Sequence, residues 1–102
     1  MKHAELLGKI RDKAGQLGVL AQHFPDSRRA WLPGWPDLML IGLGGVLFRE
    51  IKTHRGRVEP AQWACGDRIL KAGGNWAVWR EHDWHSGLIE IELYRLALLP
   101  RK

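Results

Sequence analysis

Apolar residues recur near the N-terminus at helical spacing. Leu6, Leu7, Ile10, Ala14 and Leu17 form one stripe between His3 and Leu17, with Lys9, Arg11, Asp12, Lys13 and Gln16 on the other side. The pattern predicts an amphipathic first helix, closed by Gly18 as its C-terminal cap. Val19 to Phe24 predicts a short strand, and PDSRRAWLPGW, from Pro25 to Trp35, an irregular loop. Two strand-like runs follow, Asp37 to Ile41 and Val46 to Lys52, joined by Gly42-Leu43-Gly44-Gly45, whose glycines permit the positive φ of a tight hairpin. Thr53 to Val58 reads as a basic loop. Pro60 suits the first turn of a helix reaching about Ala72, with Ala61, Ala64, Cys65, Ile69 and Leu70 inward. Gly73-Gly74 ends that helix, and Asn75 to Arg80 predicts a strand in which Ala77 alternates against Trp76 and Trp79. Asp83 is placed to cap a last helix, roughly Trp84 to Leu99. The expected order, α-β-β-β-α-β-α, is an α/β sandwich around a small mixed sheet, one domain over residues 1–102.

Charge narrows the choice of partner. Sixteen Lys plus Arg against eleven Asp plus Glu give +5 and a pI near 9.9, which favours a polyanion over a neutral metabolite. The single cysteine, Cys65, excludes an internal disulfide and a cysteine-rich zinc site, and is read as a buried helix residue. MKHAELLGKIRDK carries charges where a signal peptide needs an apolar stretch, and no run approaches the ~18 apolar residues of a membrane helix. A cytoplasmic protein with no membrane partner is expected.

The chemistry gathers at the hairpin. A turn at Gly42 to Gly45 brings Asp37, at the head of the first strand, beside Glu50, at the tail of the second. Period-two alternation puts Glu50 and Lys52 on one face and Ile51 on the other. Two carboxylates at one sheet edge repel, and both stay ionised cheaply only with a cation between them. Oxygen ligands suit a hard ion such as Mg²⁺, and a neighbouring lysine can hold or deprotonate a water. The pattern points to metal-assisted phosphodiester hydrolysis. The alternative is a set of exposed strand-end charges, with Glu50 and Lys52 a surface pair worth under ~1 kcal/mol.

The wider pattern resembles the VRR-NUC domain, a branch of the PD-(D/E)xK nuclease superfamily. The matching residues are Glu5 on the first helix, SRRAWLPGWPDLMLI at Ser27 to Ile41, VLFREIKTHRGRVEPAQ at Val46 to Gln62, and AGGNWAVWR at Ala72 to Arg80. The resemblance implies a restriction-endonuclease-like core and an Mg²⁺- or Mn²⁺-dependent endonuclease with no small-molecule cofactor. It makes Asp37 and Glu50 metal-binding carboxylates, the Ile51 carbonyl a further ligand, Lys52 the catalytic lysine, and Gln62 a support for metal or substrate. Glu5 matches the first-helix glutamate that completes the site through metal or water. On a helical wheel it lies away from the apolar stripe, so a solvated first-turn carboxylate favoured by the helix dipole is the other reading. Of the paired arginines in the family's name, only Arg28-Arg29 is an echo.

Two basic segments flank this site: Ser27, Arg28 and Arg29 before Asp37, and His54, Arg55 and Arg57 after Lys52; Arg80 is added from the last strand. All are expected to bind nucleic-acid phosphates. Trp63, Trp76 and Trp84 are assigned to the core, and Trp31 and Trp35 to base stacking or an interface. His82 and His85 lack a third ligand nearby and read as surface histidines. Stand-alone family members are associated with homodimers acting on branched DNA, including four-way junctions, whereas fused members act on flaps. The expectation is therefore a Holliday-junction-resolving homodimer in a bacterial or phage-infected cell, joined through the leucine-rich last helix. A less selective nicking or flap endonuclease, and a non-catalytic nucleic-acid-binding module, are the alternatives.

Overall fold

The tight hairpin forms as the glycines dictate. In the computed structural model, which describes residues 1–25 and 32–98, β2 (Leu38–Gly42) turns into β3 (Gly45–Lys52) with Gly42 paired to Gly45 and Leu38 to Arg49. The edge strand β1 (Leu20–His23) pairs antiparallel with β2. β4 (Trp76–Arg80) pairs parallel with β3, which needs the crossover helix α2 (Pro60–Lys71) between them. The result is one mixed four-stranded sheet in the order β1-β2-β3-β4. With α1 (His3–Gln16), α3 (Glu81–His85) and α4 (Leu88–Ala97), the chain reads α-β-β-β-α-β-α-α.

Alternation along the strands divides the sheet into two faces. Leu38, Leu40, Leu47 and Ile51 point to one of them and meet Leu6, Leu7, Ile10 and Ala14 of α1 and Ile89, Leu93 and Leu96 of α4 in the core. None of the helices among the described residues is long and apolar enough to cross a membrane.

Five local expectations need correction. The last helix is two: Gly87, at φ +86°, breaks it after Ser86, because the left-handed conformation cannot continue a right-handed helix. Asp83 caps α3 from inside its first turn, its Oδ2 accepting the Arg80 N–H at 2.8 Å. Trp76 and Trp79, three residues apart, fall on opposite faces; Trp79 is buried in the core, while Trp76 faces α2. Finally, α2 turns Gln62, Cys65, Gly66 and Ile69 toward the sheet and leaves Ala61, Ala64 and Leu70 exposed. Gly66 permits this approach, since a Cβ there would overlap the Trp76 indole. Trp63, assigned to the core, is 54% exposed and packs edge-on against Trp76, at 5.6 Å between centroids.

A buried arginine pairs with a partly exposed glutamate at the edge of the core. Arg49 is 1% exposed, and its guanidinium donates to Glu92 Oε1 of α4 at 2.9 Å and to the carbonyls of Phe48 and Asn75 at 3.0 Å. It also stacks over the Trp79 ring, whose N–H donates to the second Glu92 oxygen at 2.6 Å. Removing one partner strands the other charge in the interior. Glu92→Ala is expected to lower the unfolding free energy by about 3 kcal/mol in urea titration. A change below ~0.5 kcal/mol, the scale of surface substitutions, would contradict this reading of the pair.

Candidate active site

The ladder between β2 and β3 ends at Leu38–Arg49, so the next residues, Asp37 and Glu50, face each other with no strand bond between them. The Asp37 side chain takes over where the ladder stops: its Oδ2 accepts the Ile51 N–H at 2.9 Å. A strand residue's N–H and C=O point to the same edge, so the Ile51 carbonyl faces the same gap although its side chain is in the core.

Glu50 lies in this gap and is only 2% exposed. Its Oε2 accepts from Gln62 Nε2 at 2.8 Å and stands 3.8 Å from the Lys52 ammonium. Its Oε1 is buried and, among the described residues, has no hydrogen-bond partner. Burial, then the charge of Asp37, raise the Glu50 carboxyl from 4.5 to about 8, against the opposing pull of Lys52. At neutral pH, without a cation, the Glu50 carboxyl is therefore held largely in its protonated form. Gln62 is itself oriented by the start of α2, its side-chain oxygen accepting the Glu59 N–H at 2.8 Å. One amide thus ties the helix N-terminus to the carboxylate.

These groups line one end of a cleft of about 640 Å³. Asp37, Glu50, the Ile51 backbone, Lys52 and Gln62 come together there as the sequence predicts. Glu5 does not join them: it is exposed on the first turn of α1, outside the cleft lining. The α1 residue at the cleft is His3, whose Nε2 lies 3.4 Å from Asp37 Oδ2. His3 was readable in principle, because it extends the Leu7, Ile10, Ala14 stripe by one helical step toward the sheet.

The basic residues separate into groups. His54, Arg55 and Arg57 are exposed beyond Lys52, free to meet a polyanion. Ser27, Arg28, Arg29 and Trp31 lie outside the described residues. Arg80 is engaged, its guanidinium donating to the carbonyls of Thr53 and Gly56. Trp35 packs edge-on between Phe24 and Phe48, at 5.7 and 5.9 Å, as part of the cleft wall. His82 and His85 are exposed, and Cys65 is a half-buried free thiol whose pKa is raised by burial and by Glu50.

Asp37, Glu50 and the Ile51 carbonyl are the groups that could hold a divalent cation. Among the described residues no three His, Cys, Asp or Glu side chains form a ready-made metal cage. Mg²⁺ does not require one, since it takes one or two carboxylates and completes its shell with water and phosphate oxygens. The buried Oε1, unpartnered among the described residues, and the raised Glu50 carboxyl fit such an ion.

No protein-family model matches the sequence, and no curated protein matches it. Solved structures do. One described as a VRR_NUC domain superposes with a TM-score of 0.71 at 26% identity, covering 86% of this chain and 94% of its own. Another, a VRR_NUC domain protein, gives 0.71 at 19% identity, covering 98% of this chain and 93% of its own. The four-stranded mixed sheet, its flanking helices and these neighbours agree: the chain has the VRR-NUC domain fold, and its relatives in structure point to a nuclease domain.

Proposed function

We propose that this chain is a divalent-metal-dependent DNA endonuclease that acts on branched DNA, four-way junctions foremost, as a homodimer in the cytoplasm of a bacterial or phage-infected cell. The observation that carries the chemistry is Glu50, buried 2% exposed beside Asp37 with Oε1 unpartnered and Lys52 and Gln62 around its other oxygen. A non-catalytic binding module has no use for such a pair, which repels phosphate.

Asp37 and Glu50, with the Ile51 carbonyl, would hold Mg²⁺ or Mn²⁺. The bound ion would activate water and neutralise charge developing on the phosphate. Lys52, whose ammonium stands 3.8 Å from Glu50 Oε2, would orient the attacking water and balance charge on the phosphate. Gln62 keeps Glu50 in place. Exposed His54, Arg55 and Arg57 supply phosphate contacts beside the cleft, and Ser27, Arg28 and Arg29 precede Asp37 in the sequence.

The branched substrate and the dimer are supported by the family resemblance. The outer side of α4 adds to this by exposing Leu88, Ile91 and Tyr94, with Leu98 just beyond. The test is cleavage of labelled four-way junction, 5′-flap, single-stranded and plain duplex DNA, with sedimentation of the protein alone. Paired symmetric cuts in the junction and a two-chain mass are expected. Equal cutting of plain duplex, or a monomer throughout, would leave a less selective nuclease.

A further inference from the structure

We propose that Arg80 is a positioning residue for Lys52 and for the basic turn behind it, in place of the phosphate contact that its charge and location suggest. The proposal rests on the catalytic role given to Lys52 above.

Arg80 is the parallel partner of Lys52 at the end of the β3–β4 ladder. Its backbone is anchored by its N–H, which donates to Asp83. Its Nη1 reaches across to the turn that follows Lys52 and donates to both Thr53 O, at 3.1 Å, and Gly56 O, at 2.7 Å. The same turn is closed by the Gly56 N–H donating to Thr53 O at 3.2 Å. One guanidinium nitrogen therefore clamps both ends of a four-residue turn.

The clamped turn is the wall against which Lys52 packs. A Cβ on Gly56 would stand 3.3 Å from Lys52 Cδ. A lysine side chain has a flexible four-carbon stem, and where its ammonium sits depends on what confines that stem. Here the confinement leaves the Lys52 side chain 16% exposed, with Nζ 3.8 Å from Glu50 Oε2. The clamp also presents Arg55, exposed in the middle of the turn, outward. A lysine at position 80 would keep the charge but lose the rigid fork.

The test uses Arg80→Gln and Arg80→Lys, with Arg55→Gln as the comparison, in protein carrying ¹³C at lysine Cε. The Lys52 signal, assigned by its loss in Lys52→Met, is expected to move in both Arg80 variants and to stay in place in Arg55→Gln. In junction binding without divalent metal, Arg55→Gln is expected to lower the slope of log affinity against log salt by about 0.9, one phosphate contact, and Arg80→Gln to leave it unchanged. Single-turnover cleavage at saturating DNA is expected to fall at least about tenfold in both Arg80 variants, as for a displaced catalytic group. A Lys52 signal unmoved in both Arg80 variants, or a slope lowered by about 0.9 in Arg80→Gln, overturns the proposal. A wild type that cuts no DNA would sink the nuclease reading alone, because the Lys52 signal and the salt slope are read without cleavage.

Discussion

Lys52→Met will fold like the wild type, bind junction DNA with nearly unchanged affinity, and cleave it about 10²–10³ times more slowly under single-turnover conditions. Methionine keeps most of the stem packed against the Gly56 turn and removes only the ammonium, so the loss isolates the charge beside Glu50. The scale is that of deleting one preorganised group aimed at developing charge. Rate and affinity part company because Lys52 sits inside the cleft, whereas His54, Arg55 and Arg57 remain exposed to the DNA. A variant that cleaves within about threefold of wild type, a difference of less than ~1 kcal/mol in barrier, removes Lys52 from the mechanism.

Glu50→Gln carries the second large effect, readable in stability as well as in cleavage. The folded carboxyl titrates at about 8, the unfolded one near 4.5. Between those values the folded chain holds a proton that the unfolded chain has released. Stability is therefore fully present below pH 4.5, falls as pH rises toward 8, and levels off above. Each unit is worth about 1.4 kcal/mol, so the fall amounts to a few kcal/mol. Glutamine carries no proton to lose and keeps an acceptor for Gln62. In EDTA, Glu50→Gln is expected to be the more stable protein at pH 8.5, by several degrees in Tm, and to lack this pH dependence. A divalent cation replaces the proton, so Mg²⁺ should restore the wild type's stability at pH 8.5 while leaving the variant unmoved. Parallel pH profiles for the two proteins would show that Glu50 is not the strained carboxyl of the site. Cleavage by Glu50→Gln is expected to be lost with the metal.

The sheet and the heart of the site were legible because both depend on short-range regularities. Alternation fixed which side of β3 carries Glu50 and Lys52, and the glycine turn fixed the register that sets Asp37 opposite Glu50. Gln62 came from the family resemblance; Pro60, which starts α2, puts that glutamine in the helix's first turn. What escaped depended on contacts between distant elements. His3, rather than Glu5, reaches the cleft because α1 docks along a stripe that continues one step past its last apolar residue. Gly66 is the contact surface for Trp76, a residue on another element. Arg49 carries no local sign of its burial, because Glu92, Trp79 and two carbonyls from separate elements enclose it. Arg80 read as a phosphate contact because a sequence shows charge but not the carbonyls that occupy it. The break at Gly87 was the one purely local signal passed over, an isolated glycine in a strongly apolar helical run.

The role proposed for Asp37 and Glu50 is to hold the divalent cation that assists DNA cleavage. Single-turnover cleavage of an end-labelled four-way junction by wild type and Asp37→Asn, each in EDTA and in Mg²⁺, tests it most directly. Cuts by the wild type in Mg²⁺ alone, with none from Asp37→Asn in either condition, are the predicted result. Cleavage that persists in EDTA, or that survives in Asp37→Asn, would contradict the account.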